Sequence, residues 1–398
     1  MRGITNRGAH RRARAATGAV VVICAVTALL PGAASALPAA NAAAASGPAA
    51  GSNDGATAVR GPGAAGPGGA GAVAVSTAGV DRISVAADGT QGDNDSTGAS
   101  ITPDGRHIVF ASSATNLTAD APTGDNQAFV HDRRPGRTQR LGTLSPLQPP
   151  VISGDGEYAA YPVQWMRNVR LRQFQVSTGA SIASNCAAWS CNQASINADG
   201  NSIALVTYAH TPTPSQRVEV QDGYTTTTVA TFGHTQYSLP SISGDGRYVA
   251  YQDAQAGDVF LRDRTAGTTT GPIEGASQPA TVVQISDGGG KVVYLSGADT
   301  YVYDVRTATS QLVAGVKGVA IDPTGRYLLY TAHAPNTPSL TLRDLRTGTD
   351  DVVSAQPATA RTDAVSAGGR DVVFHSTATD IVPGDTNGKS DVFVRSFF

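Results

Sequence analysis

Cysteine, tryptophan and methionine are nearly missing from this chain of 398 residues, which holds three, two and two of them, and only 6% of it is aromatic. So few thiols exclude a cysteine-rich metal centre. Only Cys186 and Cys191, in CAAWSC, lie beyond the first residues of the chain. Their spacing is not C-x-x-C and no histidine is near, so a small loop disulfide is expected. Charge is also scarce, at 15%. Residues 1–80 hold six Arg and one acid, Asp54, which leaves 23 bases against 30 acids in the remainder. That balance argues against nucleic acid or an anionic membrane surface as partner, because both demand clustered Lys and Arg. There is no G-x-S-x-G elbow and no H-E-x-x-H, and His107, His131, His210, His234, His333 and His375 are scattered. Helical periodicity is essentially absent.

The apolar run 19–30 follows Arg2, Arg7, Arg11, Arg12 and Arg14 and precedes the small-residue patterns Ala34-Ser35-Ala36 and Ala40-Asn41-Ala42. It is too short to span a bilayer, and residues 1–42 read as a signal peptide cleaved after 36 or 42. Ile23 before Cys24 is too large for a lipoprotein signal, so export without a lipid anchor or membrane insertion is expected. Residues 43–79 are Ala, Gly, Pro and Ser with almost no large side chains, and read as a disordered linker.

From residue 80 to 398 one pattern returns seven times: ITPDGRHIVF, ISGDGEYAAY, INADGNSIAL, ISGDGRYVAY, ISDGGGKVVY, IDPTGRYLLY and VSAGGRDVVF. The shared glycines, 105, 156, 200, 246, 289, 325 and 369, lie 36 to 51 residues apart. Each copy continues with a second alternating run, such as VFLRD or LTLRD, and six continue further into a turn and a Thr/Val-rich strand. Alternation with period two marks strands, and the glycine supplies the positive φ of a tight turn. Four antiparallel strands at this period make a β-propeller blade, here written a to d. The seventh copy ends at strand c, whereas an unassigned strand, 81–85, precedes the first copy. The fold expected is therefore all-β, a seven-bladed propeller closed by the N-terminal strand completing blade seven, which removes an exposed edge.

The repeated [SP]-x-DG-R-x-V-x-[FY] pattern resembles the TolB-type, WD-like propeller repeat of exported bacterial proteins over nearly all of 81–398. Blades five to seven depart from it, with Gly288, Thr324 and Gly368 where the turn Asp belongs. The resemblance implies the fold, and in TolB itself a periplasmic partner-binding role. No segment here resembles the N-terminal domain through which TolB contacts lipoproteins.

Loops between strands b and c are short in blades two to six but long in blade one (111–127) and blade seven (375–390), neighbours across the closure. With the connection 86–98 they should meet on the loop face and gather Asp88, Asp93, Asp95, Asp120, Asp125, Asp380, Asp385 and Asp391 against Lys389. Asp385, Asn387 and Asp391 place oxygens at alternate positions around Gly388, as calcium loops begin. Ordinary turn chemistry explains the same residues, so no cofactor is required. The leading expectation is an exported, non-enzymatic binding module, monomeric, that meets a protein or cell-envelope polymer through Asp88, Asp93, Asp95, Asp120, Asp125 and Asp380. The alternative is a carbohydrate-active propeller enzyme, glycosidase or lyase, using loop-face carboxylates, with Trp165 and Trp189 as the only tryptophans for a sugar to stack on. A calcium-stabilised structural module is the third reading. N-terminal sequencing of protein recovered outside the cytoplasm should begin at Leu37 or Ala43. A start at Met1 would remove the export reading.

Overall fold

The computed structural model describes residues 79–397 except 122–124, 184–185, 187–189, 210–212, 235, 237–238, 276–277 and 334–338. The signal peptide, the linker up to residue 78, His210 and Trp189 therefore lie outside the described residues. Six sheets have four antiparallel strands each, in sequential order. Blade one, for example, is Ser96–Ile101, His107–Ser112, Gln127–Asp132 and Arg137–Arg140. The seventh sheet is built across the termini: Val80–Arg82 pairs with Asp391–Ser396, which pairs with Asp371–Ser376. Its inner strand is reduced to one bridge, Val365 to Val372. The expected seven-bladed ring and its N-terminal closure are thus both present. The closing strand ends at Arg82 rather than at residue 85, because a bridge from Val85 to Gln91 turns the chain away.

Within four of the blades, the aromatic that ends the motif stacks on the residue opposite it in strand c. Phe110 meets Phe129 at 5.8 Å, Tyr251 meets Phe260 at 5.5 Å, Tyr294 meets Tyr301 at 5.2 Å and Phe374 meets Phe393 at 5.6 Å. Such cross-strand pairs add to the area they bury.

Between the blades, the motif's glycine makes the joint. All seven repeat glycines have φ between +67° and +76°. Each also lies under the residue two places beyond the glycine of the preceding blade: Gly156 under His107, Gly200 under Tyr158, Gly246 under Ser202, Gly289 under Tyr248, Gly325 under Lys291 and Gly369 under Tyr327. The series closes where Asp371 of blade seven covers Gly105 of blade one. The turn carboxylates serve this geometry. Ser243 Oγ donates to Asp245 at 2.5 Å and accepts from Tyr248 N at 2.9 Å, and Thr102 and Ser153 repeat the clamp.

Cys186 and Cys191 form the expected disulfide, with Cα atoms 6.1 Å apart and Cys191 within the inner strand of blade three, Ser190–Ile196. Gly200→Ala is expected to cost about 2–4 kcal/mol, because the new methyl meets the Tyr158 ring as well as an unfavourable φ. Gly136→Ala, at φ +61° with nothing near, is expected to cost only about 1–2 kcal/mol. Urea denaturation of the two variants reads the difference, and equal losses would mean that the inter-blade contact contributes nothing.

Candidate functional site

The three long loops do converge at the closure. Gln91 Nε2 donates to Thr386 Oγ1 at 2.7 Å, Asn387 Nδ2 to Gly92 O at 2.7 Å, and Thr115 N to Asp93 Oδ1 at 2.6 Å. The carboxylates there are mostly occupied in holding these loops. Asp95 accepts from Ser390 N, Asp88 from Thr90 N and Asp380 from Gln356 Nε2, while Asp120 pairs with Arg140 at 3.1 Å. Asp125 is exposed and has no partner among the described residues. The patch is a set of turn caps more than an unpaired acidic field.

Asp385, Asn387 and Asp391 also come together, but with an arginine among them. The Arg82 guanidinium, on the closing strand, lies 3.3 Å from Asp385 and 3.4 Å from Asp391, and the Asp385 side chain is wholly buried. Asn387 directs its amide nitrogen at Asp391 (3.2 Å), and its oxygen accepts from Lys389 N (2.8 Å). A calcium ion would need that oxygen and the place the guanidinium holds, so these residues do not fit the metal. Among the described residues no group of three or more His, Cys, Asp or Glu is placed to hold a metal ion. Burial raises the pKa of Asp391, and the Asp385 charge adds to the rise against the Ser84 bond and Arg82.

A second constellation lies on the propeller axis. The residue before the turn-Asp position is Pro103, Gly154, Ala198, Gly244, Pro323 or Ala367 in six blades, and Pro103, Gly154, Ala198 and Pro323 line the turn-face end of the channel. Backbone bonds link them from blade to blade: Ala198 N to Gly244 O at 2.9 Å, Gly244 N to Asp287 O at 2.8 Å, Gly288 N to Pro323 O at 3.1 Å and Ala367 N to Pro103 O at 2.8 Å. Blade five alone has a carboxylate there, Asp287. The shift of its turn Asp one place forward, giving SDGGG, frees Asp287 from the clamp that occupies Asp245. Removal from water raises its pKa from the ordinary 3.8 to about 7, helped by the negative charges of Asp363 and Asp322.

Asp363, in the left-handed region at φ +60°, also faces this cavity of about 30 Å³. It accepts from Gln284 Nε2 at 2.7 Å. It lines a second cavity too, of about 60 Å³, formed with Arg361 and the connections that enter strands a, at the loop-face end. Spaces of this size admit water molecules, not a sugar. Sequence reasoning passed over Asp287 although ISDGGGKVVY contained the signal, a charge at a position that is otherwise Pro, Gly or Ala.

No protein family matches this chain, and no curated protein matches it. Solved structures of the same shape exist. An oligogalacturonate lyase in complex with manganese is 14% identical with a TM-score of 0.59, covering 81% of this chain and 95% of its own. The oligogalacturonate lyase of Vibrio parahaemolyticus is 14% identical with a TM-score of 0.58 over the same shares. At that identity the likeness is one of fold, and the chain is a seven-bladed β-propeller. It nevertheless corrects the leading expectation of a non-enzymatic binding module: both of these propellers are oligogalacturonate lyases, in line with the enzymatic alternative.

The Arg82 cluster gives a stability prediction. Arg82→Met leaves two carboxylates buried beside each other and is expected to cost about 3–5 kcal/mol at neutral pH. Protonation of Asp391, whose pKa is raised, should shrink that loss as the pH falls towards 4, read by urea denaturation at several pH values. A loss independent of pH would contradict the electrostatic account.

Proposed function

We propose that this propeller is an exported carbohydrate-active enzyme, a lyase, with Asp287 as its proton-transfer group. The observation that carries the reading is a single carboxyl poised near neutral pH at the mouth of the axial channel, in a ring otherwise built of small uncharged residues. A group with that pKa both takes and returns protons at working pH, which is where acid–base catalysis is most efficient. The TolB-type repeat is then the scaffold that holds it. The fold shared with two lyases supports the substrate class.

The sugar would lie on the turn face rather than the loop face of the original alternative. Gly288 and Gly290 flank the site, are exposed, and leave the backbone bare beside Asp287. In an elimination, ionised Asp287 removes a proton from a ring carbon. That C–H electron pair becomes the C=C bond as the neighbouring C–O bond breaks, and the departing oxygen takes the proton from the Asp287 carboxyl, which is ionised again. One mobile carboxyl is sufficient for this. Hydrolysis needs two, and Asp363 has Oδ1 committed to Gln284.

A panel of polysaccharides, followed by the ultraviolet absorbance of an unsaturated product, should identify a substrate. Its turnover should rise with pH through about 7, as Asp287 loses its proton. Asp287→Asn is expected to lower kcat by about 10²–10⁴-fold. The folded-state pKa lies above the ordinary value, so ionised Asp287 costs stability as the pH climbs from about 4 to about 7. The same variant should therefore melt higher than the parent at pH 8, as groups at functional sites often do when neutralised. Full activity in the Asn variant would overturn the assignment.

A further inference from the structure

At the other end of the channel, Arg361 makes no ion pair among the described residues. Its Nη1 donates to the carbonyls of Pro149 and Pro150 at 2.9 and 3.2 Å, which ties blade seven to the connection between blades one and two. Nε and Nη2 have no partner among the described residues, and no carboxylate is close enough there for an ion pair. Burial pulls the guanidinium pKa below its ordinary value, and Asp363 is the only charge opposing that shift.

The cavity that Arg361 lines offers further donors. Ser195 Oγ accepts from Ile242 N at 3.1 Å and Ser241 Oγ from Ile285 N at 3.0 Å. An oxygen that accepts a backbone N–H still has its own hydrogen to give. Neither hydroxyl hydrogen has an acceptor among the described residues. The one carboxylate in the lining, Asp363, is bonded by Gln284 and makes no ion pair among the described residues. Leu239, half exposed, borders the opening on the loop face.

We propose that Arg361, Ser195 and Ser241 form a binding site for a carboxylate carried by a ligand that enters from the loop face. A planar carboxylate matches the paired N–H groups of a guanidinium, which makes such contacts strong as well as directional. The cavity of about 60 Å³ holds the carboxylate alone, with the body of the ligand outside against Leu239. For a carbohydrate-active enzyme this site would bind an acidic sugar unit, and to that extent it rests on the proposed function. Asp287 is not part of its lining and lies against the other cavity.

Calorimetric titration of the mature protein with galacturonate, acetate, galactose and inorganic phosphate separates the sources. Galacturonate should bind and acetate more weakly, while galactose and phosphate should give no heat. Ser195→Ala with Ser241→Ala should weaken galacturonate about tenfold, two modest hydrogen bonds being worth roughly 1.4 kcal/mol. Arg361→Gln should abolish binding. If Arg361→Gln does not fold, the serine pair decides alone. Equal binding of galactose and galacturonate, tighter binding of phosphate, or an unaffected serine double variant would each overturn the site. Binding without turnover of any polysaccharide would remove the enzymatic reading and leave this one standing. Turnover of a neutral polymer without galacturonate binding would do the reverse.

Discussion

Seven times around the ring, a glycine with φ near +70° lies beneath a side chain of the blade before it, and every other feature of the molecule depends on that joint. A β-carbon would fail there twice, once on backbone sterics and once on contact with the neighbouring blade. The joint repeats at one radius, so the turns beside it are drawn close to the axis and can carry only small residues. The final contact, Asp371 over Gly105, belongs to the same series but joins the two ends of the folded chain. Arg133 fastens that contact, donating to Gly105 O at 2.8 Å and to Asp371 at 3.0 Å.

Charges that do not serve the repeat are found where the repeat is broken. Asp287 occupies a ring position that is otherwise uncharged, Arg361 and Asp363 sit in the connection that enters the reduced inner strand of blade seven, and Arg82 lies on the closing strand. Each is placed in low-dielectric surroundings, where an unpaired charge is expensive. At the closure the expense is offset by opposite charges in contact. On the axis it is not, and the residual electrostatic stress appears as a carboxyl held near neutrality and a guanidinium with unused donors.

Much of the fold was legible because its determinants are local. The Asp-Gly turn of Ile242–Tyr251, the alternation of VFLRD and the missing fourth strand of the last copy are all readable within a few residues. So was the meeting of the long loops, because ring closure makes blades one and seven neighbours. The site was less legible. Asp385, Asn387 and Asp391 resemble a calcium loop by spacing, but spacing cannot reveal that Arg82, some 300 residues away along the chain, fills the place a metal would take. Asp287 was visible only as an odd letter in an alignment.

By itself the sequence determined the blade count, the turn chemistry, the closing strand and the disulfide, since each follows from the conformational preferences and periodicity of short segments. Only the tertiary structure decided which charges are buried together. That depends on how seven separate turns converge on one axis and on which side chains then lose their water. Arg361 meets the carbonyls of Pro149 and Pro150, and Gln284 meets Asp363, across the channel and not along the chain. Desolvation is a property of the assembled ring, so the groups most altered by it could be named only after the ring was closed.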